Sequence, residues 1–279
     1  MDRRSINIFS IFLYIILGII AIIQVYPIFW VVSSSIKPFS EFISKPSYSL
    51  PESLYLGNYI TALATGNIPR AYLNSIFITI MVLTLEVLIS CPAAFAIGKL
   101  DFKASGKLLS FFLMGMMIPV FVCLIPMFRV YTFLGIRNTY WSVVLPQLGF
   151  GLPLSIYMYV SFLKFVPDSL LEASLIDGAN SLQIYVRIVF PLLKNATATI
   201  LTFKFIWVWN EFTYANTFLT SRVMKTLPIM LRDYAGEEGL VNWGATYAAI
   251  TLAILPTLII YFLLSKNVTE GIAMGALKS

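Results

Sequence analysis

Two ionisable side chains stand inside long apolar runs of this chain, Glu86 in the stretch 73–97 and Lys204 in the stretch 197–219. A charged group in hydrocarbon is costly unless paired or hydrated, so each is a candidate for function. The lysine stem is long enough for the two to meet across helices. They read either as an intramembrane pair holding helices together or as direct contacts for a solute. In the same run as Lys204, Phe203, Trp207, Asn210, Tyr214 and Phe218 recur at helical spacing, with Glu211 beside them. Aromatic faces pack on the apolar side of a sugar ring while Asn and Tyr bond its hydroxyls. Trp207, Asn210, Glu211 and Tyr214 are therefore candidates for a carbohydrate path. Helix packing and an interfacial aromatic belt use the same residue types and remain an equal reading.

A second polar constellation runs from Pro167 to Ala179. Asp168 can accept from the free amides of the turn that follows it, and Glu172 adds negative charge near the positive end of a short helix. Asp177-Gly178 stops that helix, because glycine supplies the left-handed conformation of a helix end. Asn180 with Gln183 reads as the capping box of a second helix running to Phe190, which Pro191 ends. Leu170, Leu171, Leu175 and Ile176 give the first helix an apolar side. A loop capped this fully between two apolar segments reads as a docking element.

Catalysis has little to work with. The sequence contains no histidine, and its two cysteines, Cys91 and Cys123, lie inside apolar segments where packing is the default role. Neither a ligand set with metal spacing nor a nucleophile with a base is evident. Gly106-Lys107-Leu108 lacks both the earlier glycine and the hydroxyl of a phosphate loop. The expectation is a chain that is not an enzyme and binds no cofactor or metal itself.

The elements that must position these residues are membrane helices. Hydrophobic residues make up 59% of the 279 and charged residues 11%, far too apolar for a soluble domain of this length. Apolar runs of about 20 residues, enough to cross a bilayer as helices, fall at roughly 9–32, 73–97, 108–131, 141–163, 197–219 and 246–265. They predict an all-α membrane protein with six transmembrane helices in one domain, 1–279. Strands of a barrel would be shorter and would alternate in polarity. The first run follows Asp2, Arg3 and Arg4 and is longer than a signal-peptide core, so despite Ser33-Ser34-Ser35 it reads as a retained helix.

Both termini then share a side. Assigning them, the 98–107 loop and the 164–195 loop to the cytoplasm puts about ten Lys and Arg there, against about eight in longer loops opposite. The net charge of +6 follows from this bias, and no basic face with interleaved aromatics points to nucleic acid. Outside lie the loops 36–72, where Asn58 is expected to cap a short helix over 60–63, and 220–245. Pro27, Pro119, Pro126, Pro146, Pro153 and Pro256 fall in or beside the spans, as suits kinked helices around a pathway; proline is also simply commoner in membrane helices.

Glu172-Ala173-Ser174, Asp177-Gly178-Ala179, Ile188 and Pro191 together resemble the EAA loop of inner-membrane permease subunits of binding-protein-dependent ABC importers. Ser174 stands where alanine is usual. Asn74-Ser75, Ile118-Pro119, Ile125-Pro126, Trp209-Asn210-Glu211 and Gly271 to Lys278 look like the carbohydrate-uptake branch typified by the second permease subunit of the maltose importer. The resemblance implies a type I importer architecture in a bacterial cytoplasmic membrane, with membrane lipid around it and half of a sugar pathway within it. It implies partners as well: a second homologous permease, an extracellular solute-binding protein and two ATPase subunits that hold ATP and Mg. Glu172, Ala173, Ser174, Asp177, Gly178 and Ala179 are the coupling residues it implies, and the tail from Gly271 is implied to reach between the ATPases. An importer of a non-sugar solute and an ion-gradient-driven transporter are the rival readings; the latter gives no reason for the capped loop. A membrane-embedded enzyme ranks third.

Overall fold

The computed structural model describes the backbone of residues 8–65, 67–237 and 242–276 and the side chains of 9–65, 67–233 and 242–263. Every element among the described residues is a helix. The chain divides into two compact units, Met1–Ile68 with Leu231–Ile254, and Pro69–Met230 with Leu255–Ser279.

In the first unit, α1 (Ile8–Ser35) is apolar around its whole circumference and exposed along most of its length, as a helix built for hydrocarbon must be. Its polar end is buried: the Ser35 hydroxyl donates to Val32 O at 2.6 Å and lies 2.7 Å from the Tyr59 hydroxyl. Short helices α2 (Phe39–Ser44) and α3 (Gly57–Ala64) follow. Asn58 does not cap α3, which begins one residue earlier with Leu56 as its N-cap. Already inside the helix, Asn58 turns its amide to Ser35 O (2.9 Å) and Lys37 O (2.8 Å), carbonyls left free where α1 ends. Gly244 admits this amide, since a Cβ there would meet it at 2.5 Å. Trp30, Phe42 and Trp243 surround Tyr247 with ring centroids 5.0, 6.0 and 6.3 Å away.

The second unit is built on α4 (Ile68–Lys99), α5 (Ser105–Gly115), α6 (Val120–Phe133) and α7 (Trp141–Leu163). Its polar turn is α8 (Asp168–Ile176) and α9 (Ser181–Ile184), followed by a π turn at Tyr185–Val189 and α10 (Phe190–Leu192). Helices α11 (Lys194–Trp209), α12 (Thr213–Phe218), α13 (Leu227–Glu237) and α14 (Trp243–Ala276) complete the chain. The helix after Asn180 therefore runs on to Leu192 rather than stopping at Pro191. The π register widens the turn where the proline ring would strike a carbonyl one turn back.

Among the described residues four helices are long and apolar enough to cross a bilayer: Phe9–Ser35, Ile68–Lys99, Trp141–Leu163 and Trp243–Leu263. The other two expected spans are not straight. One is Ser105–Gly115 with Val120–Phe133, bent by 92°, and the other Ser181–Leu192 with Lys194–Phe218, bent by 71°; counting each pair as one gives six. The first break has a plain cause. Amides 116–118 bond three residues back, unwinding α5, and Pro119 donates nothing and takes extended backbone before α6. At the end of α5, Gly115 approaches α7 so closely that a Cβ would lie 3.3 Å from Pro153 Cγ.

Helix α7 is the centre of this unit, packed by α5, α11 and α12. Two apolar clusters flank it. One gathers Cys91, Phe95, Tyr159, Leu163, Leu171 and Ile200; the other Val82, Val144, Leu148, Val208, Tyr214 and Phe218. Cys123 is half-buried and both cysteines are free. Helix α14 continues to Ala276, so the tail expected from Gly271 begins as helix; its side chains and residues 277–279 lie outside those described.

Candidate functional site

The turn between α8 and α9 is built from local signals. Gly178 has φ +81° with open space where a Cβ would stand. Its N–H donates to Leu175 O at 3.0 Å and the next amide, Ala179, to Ser174 O at 2.9 Å, the two bonds of a Schellman end. Asn180 Oδ1 accepts from the Gln183 amide and Gln183 Oε1 from the Asn180 amide, both at 2.9 Å, which closes the capping box.

Inside this frame α8 has two faces. Leu171 and Ser174 turn inward, where Leu171 joins the apolar cluster and the Ser174 hydroxyl donates to Leu170 O at 2.6 Å. Ser174 thus packs rather than presents. Glu172, Ala173 and Asp177 face outward with Leu170, Leu175 and Ile176, the last 87% exposed. The apolar side expected of Leu170, Leu171, Leu175 and Ile176 is therefore split: Leu171 alone is buried and the other three are exposed. An outward ridge of apolar and acidic groups on a helix closed at its C-terminal end can dock a partner.

Asp168 does not accept from its own helix. The N-cap is Pro167, without a side-chain bond, and the Asp168 carboxylate meets Lys99 Nζ at 2.6 Å. The same ammonium donates to Val166 O at 2.7 Å. A partner 69 residues away in sequence was not legible there.

Deeper in the unit, Lys204 Nζ stands 3.3 Å from Glu86 Oε2 and donates to Gln147 O at 3.0 Å. Glu86 is 0% exposed; its Oε1 accepts from the Ser155 hydroxyl at 2.6 Å. The structure thus brings α4, α7 and α11 together on one charge pair, in the gap between the two apolar clusters. Gly151 makes room for it: a Cβ there would overlap Lys204 Nζ, lie 2.8 Å from Lys204 Cε and stand 3.0 Å from Glu86 Oε1. Gln147, Gly151 and Ser155 were missed in the sequence, although their spacing of four along α7 is a helical face.

The aromatic stripe is not one face. The helix breaks after Trp209: Asn210 ends α11, its Nδ2 donating to Ile206 O at 2.8 Å, and α12 begins at Thr213. Trp207 is 78% exposed and Phe203 and Asn210 are exposed, whereas Tyr214 is 6% exposed and packs with Phe150, and Phe218 is buried against Tyr131. Glu211 restarts the helix, its Oε1 accepting from the Tyr214 amide at 2.6 Å and Oε2 from the Ala215 amide at 3.1 Å. A carboxylate placed on the first amides of a helix is a cap. Tyr214 and Glu211 therefore serve the packing of this break, and of the four path candidates Trp207 and Asn210 face outward.

Asn74-Ser75 holds a distant segment. Asn74 Nδ2 donates to Val223 O and Lys225 O at 2.9 Å each, Tyr140 donates to its Oδ1 at 2.9 Å, and Ser75 Oγ accepts from the Leu227 amide at 2.8 Å.

Among the described residues no group of His, Cys, Asp and Glu could hold a metal ion. The family described as "Binding-protein-dependent transport system inner membrane component" matches residues 90–273. The chain is similar to the probable starch degradation products transport system permease protein AmyC of Thermoanaerobacterium thermosulfurigenes, 32% identical over 96% of this chain and 97% of that one. It is 32% identical to the trehalose/maltose transport system permease protein MalG of Thermococcus litoralis, covering 93% and 94%. A chain of a bacterial ABC transporter that imports the acidic polysaccharide alginate superposes with a TM-score of 0.81 at 26% identity, covering 95% of this chain and 98% of that one.

Proposed function

This chain belongs to the family of binding-protein-dependent transport system inner membrane components, as a permease subunit of an ABC importer, and we propose that its solute is an oligosaccharide. Relatives named for starch products, for trehalose and maltose, and a structural neighbour that imports alginate support a carbohydrate. In this reading the chain forms half of the pathway with a second, homologous permease and catalyses nothing itself. Two ATPase subunits hold ATP and Mg, and an external binding protein delivers the sugar. Helix α8, both termini and Lys99 lie on the cytoplasmic side.

The observation that carries this reading is the outward ridge of α8, with Ile176 exposed on a helix whose C-terminal end is closed by the Gly178 turn. Three exposed aliphatic side chains beside acidic ones on one short helix fit a cleft on a partner. The test is reconstitution of the chain with its operon partners in proteoliposomes. Binding protein loaded with maltooligosaccharides, chitooligosaccharides or amino acids is then added, and ATP hydrolysis and uptake are measured. Stimulation by one oligosaccharide class is expected. Stimulation by amino acids alone would overturn the carbohydrate assignment.

A further inference from the structure

Three helix ends meet at one ammonium. Lys99 is the last residue of α4, Val166 follows the end of α7, and Asp168 is the first residue of α8. Lys99 Nζ reaches Val166 O at 2.7 Å and Asp168 Oδ1 at 2.6 Å, the two groups on either side of Pro167. Its side chain is 8% exposed, so the stem is packed, while the Asp168 carboxylate it reaches is 75% exposed. The charge is favourable at each end: it complements the negative termini of α4 and α7 and pairs with an acid in the first turn of α8.

Pro167 locks its own φ and donates nothing, so the elbow from α7 into α8 is free to turn only at a few dihedrals. Lys99 spans them. Beside it α4 and α7 run in close contact, a Cβ at Gly98 lying 3.5 Å from Leu163 Cδ1. The same α4 carries Glu86, 13 residues or about 20 Å back along the helix, in the pair with Lys204 of α11. One helix, with Pro92 between the two points, therefore has a charge clamp at its end on the docking turn and another in the bundle interior.

We propose that Lys99 is a positioning residue that sets the angle of α8 on the bundle and passes its displacement to α4, which links docking on the outside to the pathway within. This rests on the importer reading above. Without the clamp α8 would still dock through its outward ridge, but its movement would be absorbed at the Pro167 elbow.

The test uses the full complex in proteoliposomes with its binding protein and the sugar that stimulates the wild type, reading sugar imported per ATP hydrolysed and the ATPase recovered with the chain. Lys99→Met should keep ATPase binding and hydrolysis while import per ATP falls about tenfold, as expected for loss of two charge-assisted bonds. Asp168→Asn, which leaves the Val166 bond in place, should lower the ratio about threefold, and Lys99→Arg should restore most of it. An unchanged ratio in Lys99→Met overturns the proposal. So does a Lys99→Met complex that fails to assemble while Asp168→Asn keeps the wild-type ratio, since Lys99 then acts in folding alone. Absence of sugar-coupled hydrolysis in the wild type overturns the importer reading together with this one, and is seen before any variant is compared.

Discussion

The α8–α9 turn and the interior around α7 carry similar polar groups and use them in opposite ways. In the turn, hydrogen bonds close over three to five residues, Asn180 with Gln183 and Ala179 with Ser174, so the outward side chains are left unspent. In the interior they close between helices, Ser155 with Glu86 and Lys204 with Gln147, and the side chains face the bundle rather than a partner. The 210–212 break shows the same contrast within one motif: it too stops and restarts a helix, but with a carboxylate that its own cap consumes. A capped turn whose side chains face out is free to meet a partner, and one whose side chains are buried is scaffold.

If that contrast is right, substitutions inside cost stability and those on the turn cost partners. The largest effect is expected at the charge pair. Lys204→Ala leaves Glu86 buried without its partner and should lower stability by about 3–5 kcal/mol, read as thermal unfolding of the purified chain in detergent. Replacing both, Glu86→Gln with Lys204→Met, should cost clearly less. A double variant as unstable as the single one would show that the pair is more than a compensated charge.

Gly151→Ala pushes a methyl into the Lys204 ammonium and should cost about 1–3 kcal/mol by the same measurement, as overpacked sites do. A wild-type melting curve would mean that the pair has room to move. Glu211→Ala removes the cap of α12 and should cost about 1–2 kcal/mol. If sugar uptake is lost while the melting curve stays in place, Glu211 belongs to the solute path instead. On the turn, Gly178→Ala meets only the backbone cost of φ +81°, about 1 kcal/mol, because nothing crowds its Cβ.

How much of this could be read from the sequence follows the same division. Asp177-Gly178 and the Asn180–Gln183 box were legible because their bonds span a few residues. Glu86 and Lys204 were visible as charges in apolar runs. The role of Gly151 was not, since a glycine in a membrane helix has a dozen commoner reasons to be there. Lys99 looked like one more charge of a cytoplasmic loop. The reading of Tyr214 and Phe218 as one stripe with Trp207 assumed an unbroken helix; three residues of break at 210–212 shift the helical phase, and the stripe falls on two faces.

The central claim is that the outward ridge of α8 docks the ATPase, and it is tested most directly by charging that ridge. Ile176→Asp alters a side chain that is 87% exposed, so stability should stay within about 0.5 kcal/mol of the wild type. Recovery of the ATPase subunits with the affinity-purified permease pair should fall about tenfold or more, as for loss of an apolar anchor at an interface centre. Full recovery of ATPase with an unchanged melting curve would contradict the account and return α8 to being a solvated connection.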